Sequence, residues 1–158
     1  MRIALIPGSF DPLHNGHLYV VEAASRQFDR VVVAAVRNPG KEPLFSLEER
    51  QEMLEESLAH LDNIETRSFS GLAVELAAEV GATAIVKGLR AVSDLENELQ
   101  MAQMNRAMSG VDTIFIPTTS TSSFIASKYI KEFARGGRDV SAMVPDPVAK
   151  RIREKYLT

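Results

Sequence analysis

The chain has 158 residues, 45% of them hydrophobic and 25% charged, with a mean hydropathy of −0.06, the composition of one soluble globular domain over residues 1–158 with a proper core. The net charge is −3 and there is no cysteine, which argues against nucleic acid as the main partner and excludes disulfides and thiolate metal sites. No apolar run approaches a membrane span, and Met1-Arg2 leads into an apolar run too short for a signal-peptide core, so a cytoplasmic protein away from membranes is expected.

Strand-like and helix-like runs alternate along the chain. Arg2–Ile6 reads as a strand, followed by a dense loop, PGSFDPLHNGH, at residues 7–17. A helix is predicted over Gly16–Phe28, a strand over Arg30–Val36, then an irregular stretch at Arg37–Phe45. The helix predicted over Leu47–Leu61 opens on a capping box, Ser46 with Glu49, and carries an apolar stripe of Leu47, Leu54, Leu58 and Leu61. Next come a strand at Asn63–Arg67, a helix at Leu72–Val80 closed by Gly81, and a strand at Thr83–Lys87. A second box, Ser93 with Glu96, marks a helix at Asp94–Ser109 that Gly110 closes. A strand at Asp112–Pro117, a helix at Ser122–Ala134, a Gly- and Arg-rich turn at Arg135–Asp139 and a helix at Pro147–Leu157 complete the series.

Three strands are continuously apolar over Ile3–Ile6, Val31–Val36 and Ala84–Val86, the pattern of parallel strands covered on both faces. The expected fold is α/β: a Rossmann-like, doubly wound five-stranded parallel sheet with helices on both faces. Ligands of such sheets bind outside the carboxyl ends of the strands. The segments following the strands are PGSFDPLHNGH, RNPGK, KGLR and PTTSTSS. Together they offer histidines, cations, glycines and hydroxyls at helix starts, which is a rim suited to phosphate.

Within that rim His17 falls in the first turn of a helix, where free N–H groups favour an anion. His14 is near enough to share the ligand. A metal reading of Asp11, His14 and His17 is weaker, since loop ligands with no distant partner make a poor cage. Neither G-x-G-x-x-G nor G-x-x-x-x-G-K-[ST] occurs.

GSFDPLHNGH resembles the (T/H)-x-G-H signature of the nucleotidyltransferase superfamily, and KGLRAVSDLENELQMAQMN and SFIASKYIKE are similar to two further blocks of bacterial phosphopantetheine adenylyltransferases. The resemblance covers essentially the whole chain and implies adenylyl transfer from ATP, with Mg2+, to 4′-phosphopantetheine in coenzyme A biosynthesis. It places Ser9, Phe10, His17, Gly88, Leu89, Arg90 and Glu98 at ATP. It also puts Ser122, Ser123, Phe124, Ile125, Ala126, Ser127 and Lys128 around the distal phosphates and base. Ser9, Lys41, Ala73 and Lys87 would meet the acceptor, with His17, Lys41 and Arg90 catalytic. No metal-ligating residue is implied.

The chemistry suits these residues. The acceptor is already a phosphate anion and needs no general base, so the barrier lies in charge on non-bridging oxygens. Ala126 and Lys128 depart from two serines usual in the family, Ser122 stands where an aromatic is common, and His14 where threonine is commoner. A nicotinamide-mononucleotide adenylyltransferase, a cytidylyltransferase and a non-catalytic nucleotide-binding regulator are the competing readings.

On the helix from Asp94, Leu95, Leu99 and Ala102 share one face, and Met101, Met104 and Met108 roughly the opposite one. One face can pack on the sheet and the other needs a different cover. The family forms homohexamers, which the resemblance makes the expected explanation.

Overall fold

The apolar runs become β1 (Ile3–Gly8), β2 (Arg30–Val36) and β4 (Ala84–Leu89), and the less apolar ones become β3 (Ile64–Phe69) and β5 (Asp112–Pro117). The computed structural model, which describes residues 1–156, joins them in one parallel sheet of order β3-β2-β1-β4-β5. The apolar strands occupy the middle and the polar ones the edges, because only the middle strands lose both faces to solvent-excluding layers.

Side-chain alternation divides the core in two. Ala4, Ile6, Val31, Val33 and Val86 point to one face, where they meet α1 (Asn15–Ser25), α2 (Leu47–Leu58), α5 (Ser127–Arg135) and α6 (Asp146–Tyr156). Leu5, Val32, Ala34 and Ile85 point to the other and meet Leu76, Ala77 and Val80 of α3 (Ala73–Val80). Each fully buried valine or leucine contributes about 1.5–3 kcal/mol. A one-residue slip would exchange the two faces, so register is strongly set.

Several boundaries follow the expected signals. Ser46 and Glu49 exchange hydrogen bonds, with Glu49 N–H to Ser46 Oγ at 3.1 Å and Ser46 N–H to Glu49 Oε2 at 2.8 Å. In the α2 stripe Leu54 and Leu58 are buried, while Leu47 and Leu61 pack partly buried against the same core. Gly81 and Gly110 adopt the left-handed conformation, at φ 69° and 77°.

Others differ. α4 (Val92–Ser109) starts two residues early, capped by Ala91 without a side-chain bond, so Ser93 lies inside the helix and its box with Glu96 does not form. α1 and α2 each stop three residues short of the expected end. α5 begins at Ser127, not Ser122. The stretch before it forms turns, with Ser122 N–H on Thr119 O and Ile125 N–H on Ser122 O. Its hydroxyls compete with the backbone for such bonds, Ser123 Oγ taking Ser120 O. Leu157, the expected end of α6, lies outside the described residues.

The start of α1 is unusual. His14 is its N-cap, and its Nδ1 accepts from Gly16 N–H at 3.0 Å and His17 N–H at 3.4 Å. In return His17 Nδ1 accepts from His14 N–H at 3.1 Å. Both rings must be neutral at Nδ1 to accept. The surroundings enforce this: burial, then Arg90, lowers the His14 pKa from 6.5 to about 4. Burial, then His14, Arg90 and Lys87, lowers that of His17 well below 6.5.

The unfolded chain therefore binds protons before the folded one does, and stability falls as pH drops from 6.5 toward about 4. For one histidine the loss is at most about 1.4 kcal/mol per pH unit. Thermal unfolding of His14→Thr, which keeps a capping oxygen without a titrating ring, should show a shallower fall in Tm between these pH values than the parent. An equally steep fall would remove His14 as the source.

Candidate active site

The sheet order reverses direction at β1, whose neighbours are β2 and β4, and the loops leaving β1 and β4 therefore open a crevice at this switch point. Phe10 turns the first of these loops. Its φ of 46° is left-handed, which costs a side-chain-bearing residue about 1–2 kcal/mol, and its ring is only 3% exposed. The ring meets His17 edge-on, with centroids 5.0 Å apart and planes at 75°. On another side His14 stacks on His17 at 3.6 Å and 22°.

His17 is thus held by a stacking ring, an edge-on ring and a backbone hydrogen bond. Since its Nδ1 accepts, the proton of the neutral ring sits on Nε2, leaving an N–H donor that the cap does not use. Gly16 is required for the stack, because a Cβ there would lie 2.9 Å from His14 Cε1.

Two joined cavities fill the crevice. The smaller, of about 350 Å3, is lined by His17, Lys87, Gly88, Arg90 and Thr118 among others. The larger, of about 930 Å3, lies over the loop after β2 and α5, with Arg37, Asn38, Arg50, Lys131 and Arg135 in its wall. Ser9, Lys41, Ser127 and Lys128 border both. Gly88 lets the wall run close to α1, since a Cβ there would lie 2.8 Å from Val20 Cγ2.

Two of the cations in the smaller cavity are paired. Lys87 Nζ is 3.5 Å from Glu98 Oε1. Arg90 faces Asp94 through Nε at 3.2 Å and Nη2 at 3.3 Å, and its Nη1 donates to Ile125 O at 3.0 Å. Both carboxylates come from α4, one turn apart.

Of the residues expected at the site, Ser9, Phe10, His17, Lys41, Lys87, Gly88, Arg90, Glu98, Ala126, Ser127 and Lys128 line these cavities. Others do not. Leu89 uses its carbonyl for Thr118 N–H and Oγ. Ile125 is buried in the core and Phe124 is exposed. Ser122 and Ser123 lie in the turn, and Ala73, the first residue of α3, lines neither cavity, although Ser70 just before it borders the larger one. The metal reading also fails, because Asp11 is otherwise engaged. Its oxygens accept from Leu44 and Phe45 N–H, both at 2.8 Å, and it pairs with Lys131 Nζ at 3.5 Å.

Sequence reasoning passed over Arg50, Lys131, Arg135, Asp94 and Thr118. For Lys131 and Arg135 a signal existed: with Lys128 they repeat at spacings of three and four, one face of a helix. Arg50 offered none, since an arginine on an amphipathic helix is ordinarily a solvated charge.

Residues 5–133 match the family model described as cytidylyltransferase-like. A phosphopantetheine adenylyltransferase of Gloeobacter violaceus is 49% identical over 155 residues, covering 98% of this chain and 96% of the relative. A crystal structure described as a nicotinate-nucleotide adenylyltransferase from Vibrio parahaemolyticus aligns with a TM-score of 0.67 at 17% identity, over 96% of this chain and 99% of that one, a likeness of fold. The near full-length match at 49% identity, joined to a crevice whose (T/H)-x-G-H histidines cap the first helix, means that the chain belongs to the phosphopantetheine adenylyltransferase family of cytidylyltransferase-like nucleotidyltransferases.

Proposed function

We propose that this protein transfers the adenylyl group of ATP to 4′-phosphopantetheine, forming dephospho-coenzyme A and pyrophosphate in coenzyme A biosynthesis. The observation that carries this reading is the kind of group gathered around the smaller cavity. Lys41, Lys87, Lys128, Arg90 and His17 all line it, Lys41 and Lys128 also border the larger one, and both histidines use Nδ1 to accept backbone N–H groups. Such a set stabilises charge and is ill suited to removing a proton, which matches an acceptor that arrives as an anion.

An oxygen of the acceptor phosphate attacks the α-phosphorus, the bond to pyrophosphate breaks, and no proton has to move. His17 Nε2–H donates to a non-bridging oxygen of the α-phosphate as its charge grows. Arg90, Gly88 and Glu98 hold the nucleotide in the smaller cavity. Lys41 and Lys87 draw the acceptor phosphate to the junction, and the larger cavity takes the pantetheine arm along Pro39, Pro43 and Leu47. Ser9 borders both substrates. Mg2+ would accompany ATP and neutralise charge on its phosphates.

The same reading makes the protein a cytoplasmic homo-oligomer, a hexamer by its family resemblance. Among the described residues no helix is long and apolar enough to cross a membrane. α4 has no buried residue. Both of its apolar stripes are open, Leu95 and Leu99 partly and Met101, Met104 and Met108 more fully. A second copy is the natural cover for so much apolar surface on one helix.

His17→Ala should lower kcat by about 100- to 1,000-fold, as for loss of one transition-state donor, with a much smaller change in KM for ATP. An almost unchanged kcat would remove the role. Pyrophosphate release with Mg2+ and ATP, measured against phosphopantetheine, pantetheine and nicotinamide mononucleotide, should require the first. Turnover only with the last would overturn the assignment, and equal turnover with pantetheine would overturn the phosphate as nucleophile. Lys41→Ala should raise KM for phosphopantetheine more than for ATP. Light scattering of Met104→Glu should give a smaller mass than the parent, and an unchanged mass would move the contact off this stripe.

A further inference from the structure

Arg50 is the most buried cation of the molecule among the described residues, only 4% exposed, although it stands on α2 outside the phosphate-binding loops. Its donors go to backbone carbonyls. Nη1 donates to Ser9 O at 2.9 Å and reaches Val36 O at 3.5 Å, and Nε donates to Ser46 O at 3.3 Å. Val36 ends β2 and Ser46 caps α2, so one guanidinium ties both ends of the Lys41-bearing loop to the loop after β1. Burial lowers the Arg50 pKa, and the nearby Asp11 carboxylate offsets part of that effect. That carboxylate also fixes Leu44, Phe45 and Lys131.

The Ser9–Phe10 peptide is trans, so its C=O and the Phe10 N–H point in opposite directions. Arg50 draws the carbonyl toward the wall of the larger cavity. The N–H therefore points away from Arg50, Phe10 borders the smaller cavity with His17, and no hydrogen bond among the described residues uses this N–H. The left-handed turn at Phe10 is otherwise disfavoured and persists only where surrounding contacts over-determine it.

We propose that Arg50 is a positioning residue for adenylyl transfer: by clamping the Ser9 carbonyl it aims the Phe10 N–H at the reacting phosphate and fixes that donor relative to Lys41. This rests on the functional reading above. The nearer alternative is that Arg50 only stabilises the fold, and the two differ in single-turnover kinetics. A loss of fold lowers the number of competent sites, whereas a misaimed donor leaves the sites and slows each one.

The test is single turnover of ATP with phosphopantetheine by the full chain, with ATP sites counted by calorimetry. For Arg50→Met we expect an unchanged number of ATP sites and a rate per site about 100-fold lower, the scale of a misplacement of about 1 Å. For Arg50→Lys, which keeps the charge but loses the fork, we expect about a tenfold loss, as for the loss of about one hydrogen bond. Leu58→Ala, a core truncation on the same helix, should lower Tm and leave the rate per site unchanged. If Arg50→Met does not fold, Arg50→Lys decides alone. A normal rate per site in Arg50→Lys, or a loss in a folded variant that appears only as fewer sites, overturns the proposal. A parent protein that binds ATP but releases no pyrophosphate with phosphopantetheine overturns the functional reading instead.

Discussion

Everything at the crevice depends on one exchange of hydrogen bonds, in which His14 and His17 each accept the other's backbone N–H at Nδ1. A helix start leaves N–H groups without partners, and a serine or threonine ordinarily satisfies one of them. Here two imidazoles do so, and the cost is that both must stay neutral. Burial meets most of that requirement, and the charge of Arg90 at both rings and of Lys87 at His17 makes a further proton still less favourable. The cap, the tautomer and the cationic rim are therefore one condition. A neutral His17 with its proton on Nε2 is a donor fixed before any ligand arrives, which is how a site lowers a barrier without reorganising.

Much of this was legible in the sequence. Continuous apolar runs announced central parallel strands, and alternation with helical stretches announced the doubly wound sheet. The loops after β1 and β4 were recognisable because their residues repeat a local motif, in which spacing and chemistry lie close together in the chain. The start of α5 was misread because Ser122–Ile125 has the hydrophobicity of a helix, while its hydroxyls favour turns. Ser93 with Glu96 had the pattern of a capping box, but Arg90 bonds Asp94 and Ile125 O and brings the helix in earlier. Arg50 was illegible in principle. Its donors go to carbonyls of Ser9, Val36 and Ser46, and every residue has a carbonyl.

Asp11 shows the same limit from the other side. In a loop with two histidines an aspartate raises a metal reading, which the sequence already made the weaker one, and its oxygens satisfy two backbone N–H groups of a segment more than thirty residues away. A buried carboxylate with two such donors and Lys131 has its oxygens fully engaged, and removing any one partner would leave the others uncompensated. Asp11 and Arg50 together replace the secondary structure that the segment after β2 lacks. They allow Lys41 to ride on an irregular loop and still be held at both ends.

The two acidic residues of α4 complete the logic of the rim. Lys87 with Glu98 and Arg90 with Asp94 are about one-third exposed, and ion pairs of that exposure are worth roughly 0–1 kcal/mol. Pairs this weak keep neighbouring cations from repelling one another, yet yield readily to a phosphate, which carries more charge and more acceptor oxygens than a carboxylate. A stronger, fully buried pairing would compete with the ligand it is meant to admit. The weakness of these bridges is thus what lets α4, a helix with no buried residue of its own, be held to the sheet at the same points where an anionic substrate would bind.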